Sequence, residues 1–94
     1  LNVYPKEIEL VIDDMAGINE SAVIGVADAD FGEAVVAVII GNGDPPTVDE
    51  VISHCKKQLA NFKVPKRVEV IESLPRNAMG KVQKNLLRER FPTA

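Results

Sequence analysis

The sequence predicts a single α+β domain in which helices pack on a small central sheet of about three strands. Two apolar, β-branched segments at residues 21–27 and 33–40 are separated by a short turn. Apolar residues at helical spacing occur before, between and after the predicted strands. The chain has 94 residues, of which 46% are hydrophobic, and this suits one domain with a modest core. Helices packed on one sheet would bury these apolar faces.

The first helix is predicted over residues 6–15. Pro5 suits the first helical position, where its missing N–H group costs no hydrogen bond. The apolar positions that repeat at helical spacing are Ile8, Val11, Ile12 and Met15. Gly17 follows them and is expected to end the helix.

The next two segments are predicted to form a β-hairpin. Residues 28–32, with the sequence Asp-Ala-Asp-Phe-Gly, have the composition of the connecting turn. The second segment is apolar at every position from Ala34 to Ile40, whereas a strand with one solvated face would alternate. This pattern predicts a central strand that is covered on both faces.

A second helix, a third strand and a third helix complete the predicted order. The stretch Thr47-Val48-Asp49-Glu50 is a capping-box signature, which indicates a helix start at Thr47. The apolar stripe of this helix consists of Val48, Val51, Ile52, Cys55 and Leu59. Residues 67–70 alternate like a strand with one solvated face. Residues 82–90 have the pattern of a short amphipathic helix.

The charges are divided unevenly along the chain, although the net charge is only −3. Residues 1–55 contain eleven acids and one base, a net of −10, whereas residues 56–94 contain ten bases and three acids, a net of +7. Such a split is typical either of ordinary solvated faces or of a positive surface that binds phosphates or an acidic partner. A stand-alone interaction module, whose basic face binds an acidic partner or RNA, is therefore one open hypothesis.

The composition disfavours several classes of site. No metal site is expected, because the one His and the one Cys are the neighbours His54 and Cys55, which point to different sides of a helix. Cys55 is predicted to lie in the core and His54 on the surface. Nucleic-acid binding is disfavoured as well, because only Phe62 and Phe91 accompany the basic residues and they do not make a stacking platform.

The sequence also bears on location. It lacks an apolar run of the roughly 18–20 residues that cross a membrane, and its first residues do not have the pattern of a signal peptide. A single cysteine rules out an internal disulfide and fits a reducing compartment. We therefore expect a cytoplasmic protein without membrane contact. The start at Leu1 rather than Met predicts a fragment of a longer chain.

The stretch from Pro75 to Lys81, Pro-Arg-Asn-Ala-Met-Gly-Lys, has the composition of a loop before the last helix. Gly80 allows the backbone to approach a ligand closely, and the ammonium of Lys81 suits phosphate or carboxylate oxygens. From the residues alone, Lys81 is either a solvated charge or a charge aimed at a ligand.

Four stretches resemble, in order, the C-terminal part of the adenylate-forming superfamily, which includes acyl-CoA synthetases, peptide-synthetase adenylation domains and luciferases. They are residues 2–9 (NVYPKEIE), residues 23–33 with the elements VIGV and FGE, residues 62–66 (FKVPK), and the Pro-x₄-Gly-Lys motif at 75–81 followed by Leu86. The FKVPK stretch is most similar to acyl-CoA synthetases, and among these the chain is most similar to bacterial malonyl-CoA synthetases. The resemblance covers nearly the whole chain.

The resemblance implies that residues 1–94 are the mobile C-terminal, or lid, domain of an enzyme that converts a carboxylate, ATP and CoA to acyl-CoA, AMP and pyrophosphate. Lys81 would be the catalytic lysine of adenylate formation, with Pro75 and Gly80 supporting its loop. The expected partner is the N-terminal domain of the same protein, which binds ATP and the carboxylate. The full-length enzyme would use ATP with Mg and CoA, whereas the isolated fragment would bind none of them tightly and would be inactive. A basic group is a candidate for the CoA phosphates: Lys56, Lys57, Lys63, Lys66 and Arg67.

The resemblance also implies a mode of regulation. Bacterial acyl-CoA synthetases are acetylated reversibly at the Gly-Lys lysine, which is Lys81 here, by GNAT-type acetyltransferases, and sirtuin-type deacetylases reverse the modification. Acetylation removes the charge of the ammonium. Both kinds of enzyme are therefore expected partners of this domain.

Overall fold

The computed structural model describes residues 3–94. The predictions that concern Leu1 and Asn2, namely the start of a fragment and the first residue of NVYPKEIE, lie outside the described residues. Residues 3–94 form three α-helices and one three-stranded mixed sheet. The elements in chain order are α1 (Pro5–Asp13), β1 (Ile18–Asp28), β2 (Gly32–Gly41), α2 (Val48–Gln58), β3 (Arg67–Ile71) and α3 (Lys84–Arg90), with a 3-10 turn at Asn61–Lys63. The predicted α+β class is confirmed.

The sheet has the order β1-β2-β3. β1 and β2 are antiparallel and form the predicted hairpin, whereas β2 and β3 are parallel. β2 is therefore the central strand, as its uninterrupted apolar sequence predicted, and every residue from Ala34 to Ile40 is buried. β1 and β3 are the edge strands, and the outer edge of each has no continuous partner strand among the described residues.

The two faces of β2 belong to two separate cores. One face packs against α1 and α2, and its members include Ile8, Ile12, Ala37, Ile39, Val51 and Cys55. The opposite face is covered by the segment that ends in α3, and its members include Val36, Val38, Leu74, Leu87 and Phe91. The sheet thus lies between two helical layers, which hold the loop before α3 on a rigid body.

The predicted start of α2 is confirmed in detail. The hydroxyl of Thr47 accepts a hydrogen bond from the Glu50 N–H, and the Glu50 carboxylate accepts one from the Thr47 N–H. The bonds from the Thr47 backbone and hydroxyl lower the pKa of the Glu50 carboxyl. Cys55 is buried, as predicted, and this burial raises the pKa of its thiol.

Three details differ from the sequence-based prediction. α1 ends at Asp13 rather than Met15, because the chain tightens there: the Met15 N–H donates to the Ile12 carbonyl oxygen at 3.0 Å, before Gly17 turns the chain with a φ of +84°. α3 begins at Lys84 rather than Val82, because Val82 forms an isolated antiparallel bridge with Arg76. His54 is half-buried rather than on the surface. Its Nε2 atom lies 3.0 Å from the Val11 carbonyl oxygen and joins α2 to α1.

The helices are short. The longest that the structure describes, α2, has eleven residues, and no helix within residues 3–94 has both the length and the apolar character needed to cross a membrane.

Candidate functional site

The predicted loop around Lys81 is a tight turn with defined hydrogen bonds. The Asn77 N–H donates to the Lys81 carbonyl oxygen at 3.0 Å, and the Gly80 N–H donates to the Asn77 carbonyl oxygen at 2.9 Å. Gly80 has a φ of +82°, a conformation that other residues adopt only with strain. Pro75 closes the loop at its base, since its carbonyl oxygen accepts from the Gln83 N–H at 2.8 Å.

The side chain of Asn77 organises the inside of this turn. Its Oδ1 atom accepts hydrogen bonds from the Met79 N–H at 2.9 Å and from the Lys81 N–H at 3.0 Å. Asn commonly stabilises turns in this way, because its short side chain reaches its own backbone. The backbone of Lys81 is therefore fixed by both its N–H and its carbonyl group.

The ammonium of Lys81 differs from the neighbouring bases. Lys81 is exposed, and its side chain makes no hydrogen bond or ion pair with any residue in the part of the chain that the structure describes. Arg76, in contrast, pairs with Glu20, and Lys84 pairs with Glu9 at 2.9 Å. On this ordered backbone, Lys81 is thus a cation that has no ion-pair partner among the described residues, unlike Arg76 and Lys84.

The five bases predicted to contact CoA phosphates do not form one open group. Lys63 pairs with Glu7 and Lys66 with Asp28, each at 2.8 Å. Arg67 pairs with Glu69 at 2.7 Å and donates to the Thr93 carbonyl oxygen. The two others, Lys56 and Lys57, lie in the last turn of α2. The hydrogen bond from Lys66 to Asp28 lowers the pKa of that carboxyl.

The ion pairs explain much of the uneven charge distribution. Of the five ion pairs within residues 3–94, four join an acid of the first half to a base of the second half: Glu7–Lys63, Glu9–Lys84, Glu20–Arg76 and Asp28–Lys66. Four acids of the first half are therefore neutralised by four bases of the second half within the fold. This pairing reduces the basic surface that the interaction-module hypothesis requires.

A second feature is a groove beside the hairpin turn that sequence reasoning missed. It has a volume of about 440 Å³, and its walls include Phe31, Phe62, Val35 and Lys66. The Phe31 ring is 73% exposed and the Phe62 ring 45% exposed. The Lys66 Nζ atom lies 4.0 Å from the centre of the Phe31 ring, within the range of a cation–π contact. Two aromatic rings and a base thus line one apolar groove.

The position of Phe31 in the predicted hairpin turn could have indicated this groove from the sequence. A large aromatic residue in a hairpin turn has no core to enter, so its exposure suggests a ligand or a partner. Phe62 lies in a separate connector, and only the fold brings the two rings to one groove.

The described residues offer no metal site of their own. No group of three or more His, Cys, Asp or Glu side chains between residues 3 and 94 is arranged to hold a metal ion. A Mg²⁺ ion bound with ATP would therefore need ligands other than a cluster in this part of the chain.

The chain is similar to known proteins over almost all of its length. Residues 7–81 match the family described as AMP-binding enzyme C-terminal domain. A substituted propanoyl:CoA ligase of Rhodococcus jostii is 49% identical over 89 residues, which are 94% of this chain and 17% of that protein. A long-chain-fatty-acid–CoA ligase of Mycobacterium tuberculosis is 40% identical over 90 residues, 96% of this chain and 18% of that protein.

A solved structure has the same fold as this chain. Apo MatB from Rhodopseudomonas palustris superposes with a TM-score of 0.95 at 55% identity, over 98% of this chain and 18% of that one. The chain spans less than a fifth of the length of the relatives it matches. It belongs to the AMP-binding enzyme C-terminal domain family, the C-terminal domain of adenylate-forming acyl-CoA ligases.

Proposed function

We propose that this chain is the mobile lid domain of an ATP-dependent acyl-CoA synthetase and that Lys81 supplies the cation for adenylate formation. The observation that carries the proposal is the exposed Lys81 ammonium on an ordered turn, in a chain whose family is that of adenylate-forming ligases. Loss of adenylate formation in a Lys81→Ala variant of the full-length ligase is the test.

The chemistry of adenylate formation explains why a lysine is suited to this position. A carboxylate oxygen attacks the α-phosphorus of ATP, and the bond to pyrophosphate breaks. Negative charge accumulates on the phosphate oxygens during this step, and a fixed ammonium in a closed cleft stabilises that charge. A lysine donates up to three hydrogen bonds, so it can contact the carboxylate and the phosphate oxygens together.

The second half-reaction needs a different arrangement of the same domain. The CoA thiol attacks the acyl-adenylate, and AMP leaves. Pyrophosphate has already departed in the first half-reaction, so this step does not need the cation that stabilised its departure. We infer that the domain rotates as a rigid body between the two steps. The three-stranded sheet with helices on both faces supports this inference, because it moves the Lys81 loop and the aromatic groove together.

The groove between Phe31 and Phe62 is our candidate for the nucleotide end of CoA. An adenine ring stacks favourably on exposed aromatic rings, and the ammonium of Lys66 at the same groove suits the CoA phosphates. Lys63, whose ammonium lies 5.6 Å from the centre of the Phe62 ring, is a second candidate for a phosphate contact. This assignment favours Lys63 and Lys66 over Lys56, Lys57 and Arg67.

Replacement of the rings tests this assignment in the full-length ligase. We expect Phe62→Ala to raise the KM for CoA by about 5- to 150-fold, since loss of one base–aromatic stack costs about 1–3 kcal/mol. Phe31→Ala should act in the same direction. Adenylate formation should be unchanged, because CoA does not take part in it.

A matched control is Val70→Ala, since Val70 is 47% exposed and does not line the groove. An unchanged KM for CoA in both Phe variants would contradict the assignment.

Reversible acetylation of Lys81 is proposed as the regulation of this site. The Lys81 amine would attack acetyl-CoA, so that an amide bond forms, the thioester bond breaks, and CoA leaves as the thiol. The contacts support a preference for Lys81, because Lys84 is held by Glu9 with only 30% of its side chain exposed. The product is neutral and could not stabilise charge at the α-phosphate.

Mass spectrometry of the chain after incubation with acetyl-CoA and a cognate GNAT-type acetyltransferase tests this regulation. We expect modification at Lys81 in preference to Lys84, and we expect a sirtuin-type deacetylase to remove it. Lys81→Arg provides the control, since it should abolish the main product. Modification mainly at Lys84, or none unless the N-terminal domain is present, would count against the proposal.

Malonate remains the proposed carboxylate substrate, on the basis of the sequence resemblance. A comparison of malonate with fatty acids in the full-length ligase addresses this choice.

A further inference from the structure

We propose that two ion pairs and one asparagine form a clamp that positions the Lys81 loop against the outer edge of β1. The clamp consists of Arg76–Glu20, Lys84–Glu9 and Asn77, and its proposed members are positioning residues for Lys81 rather than catalytic residues. This inference rests on the proposed role of Lys81 in adenylate formation.

The loop lacks the apolar contacts that hold the rest of the fold. Every residue from 76 to 81 is exposed, and Met79 at the tip is 92% exposed. Burial therefore contributes little to the position of the loop. Polar contacts must fix it, and a mobile loop would place the lysine in the reactive geometry only part of the time.

The first ion pair holds the segment that enters the turn. The guanidinium of Arg76 donates through one nitrogen to the carboxylate of Glu20 in β1. Through its other terminal nitrogen it donates to the Gly80 carbonyl oxygen at 2.8 Å. One side chain thus joins the sheet to the residue directly before Lys81.

The second ion pair holds the segment that leaves the turn. The Glu9 Oε2 atom accepts from the Lys84 ammonium at 2.9 Å and from the Val23 N–H at 2.9 Å. Val23 lies in β1, so this carboxylate satisfies an edge N–H group of the sheet while it binds the first residue of α3. The Glu9 side chain is only 13% exposed, and solvent screens it less than a fully exposed ion pair.

The two ion pairs lie on opposite sides of Lys81 in sequence, at positions 76 and 84. One ends on Glu20 of β1, and the other ends on Glu9 of α1, whose carboxylate also accepts from the Val23 N–H of β1. Asn77 completes the clamp from inside, because its Oδ1 atom holds the Lys81 N–H at 3.0 Å. The Arg76–Glu20 pair is exposed on both sides and contributes little to global stability, and glutamine at position 9 would keep an acceptor for the Val23 N–H. We therefore expect loss of the two charges to affect the position of the loop more than the fold.

The test uses the full-length ligase and variants that remove the polar contacts of the clamp. A Glu9→Gln, Glu20→Gln double variant removes both charges, while glutamine at position 9 keeps an oxygen that accepts the Val23 N–H. Asn77→Ala removes the inner acceptor, whereas Asn77→Thr keeps a hydroxyl oxygen near the same position. The matched control is Asp13→Asn, because Asp13 also joins α1 to β1, by a 2.7 Å bond from the Ser21 hydroxyl, but does not contact the loop.

Three quantities are measured for each variant: the rates of the two half-reactions, the hydrogen exchange of peptides covering residues 75–83, and the thermal midpoint. We expect the double variant and Asn77→Ala to lower the adenylation rate about tenfold and to accelerate exchange in the loop. Thioester formation from a supplied acyl-adenylate and the thermal midpoint should remain close to those of the unmodified protein. Asn77→Thr should recover part of the lost rate, and Asp13→Asn should change neither rate nor loop exchange.

Two results would overturn the clamp. Loop exchange that stays unchanged in the double variant and in Asn77→Ala would show that other contacts hold the loop. Faster exchange with an unchanged adenylation rate would show that loop order does not position the lysine. Failure of the proposed function can be told apart from failure of the clamp. If Lys81 has no role in adenylation, Lys81→Ala will leave the adenylation rate intact. The hydrogen exchange of the loop will still show whether the clamp orders the turn.

Discussion

Replacement of Lys81 by alanine is expected to lower the rate of adenylate formation in the full-length ligase about 100- to 1000-fold, the effect of removing one donor at a developing negative charge. The side chain is exposed and makes no hydrogen bond or ion pair with the other described residues, so its loss should not affect folding. The variant should therefore show an unchanged thermal midpoint together with a large loss of carboxylate-dependent exchange between ATP and pyrophosphate.

Two further variants sharpen this prediction. Lys81→Arg keeps the positive charge but replaces a compact ammonium with a planar guanidinium, so it should recover only part of the activity. Lys6→Ala is the matched control, since Lys6 is an exposed lysine of α1 that lies outside the loop. Full adenylation activity in Lys81→Ala would show that the lysine is an ordinary solvated charge.

A second large effect is expected for the fold itself. Val38 is completely buried in the middle of β2, between Ala22 of β1 and Glu69 of β3. Val38→Asp would bury a carboxylate without a partner, at a cost of about 3–5 kcal/mol or more. Domains of this kind are stable by only about 5–15 kcal/mol. We expect the variant to lose cooperative unfolding in urea or on heating.

The control for this prediction lies on the adjacent strand. Val70 of β3 is 47% exposed, so Val70→Asp leaves the carboxylate in contact with water and should shift the midpoint only slightly. Circular dichroism of both variants provides the measurement. A Val38→Asp protein that still unfolds sharply near the midpoint of the unmodified chain would contradict the central position of β2.

Much of the fold could be predicted because it depends on local patterns. The apolar sequence from Ala34 to Ile40 has no position for a solvated face, and it forms the buried central strand. The capping box at Thr47 acts within four residues and was predictable for that reason. The start of α3 was predicted two residues too early, because Val82 fits the helical periodicity while its backbone pairs with Arg76 across the turn.

The candidate site was predictable only in part. Pro75, Gly80 and Lys81 are neighbours in sequence, and their residue types indicated a loop that presents a lysine. The ion pairs were not predictable, because they join residues far apart in the chain: 56 positions separate Glu20 from Arg76, and 75 separate Glu9 from Lys84. The groove between Phe31 and Phe62 likewise exists only once the hairpin turn and the connector before β3 come together.

Thioester formation by the Lys81→Ala ligase, measured in a single turnover from a supplied acyl-adenylate and CoA, tests the central claim most directly. If Lys81 acts in only one of two domain orientations, this rate should remain close to that of the unmodified enzyme while adenylate formation is almost lost. An equal loss of both half-reactions would contradict the claim, because Lys81 would then be needed in both orientations.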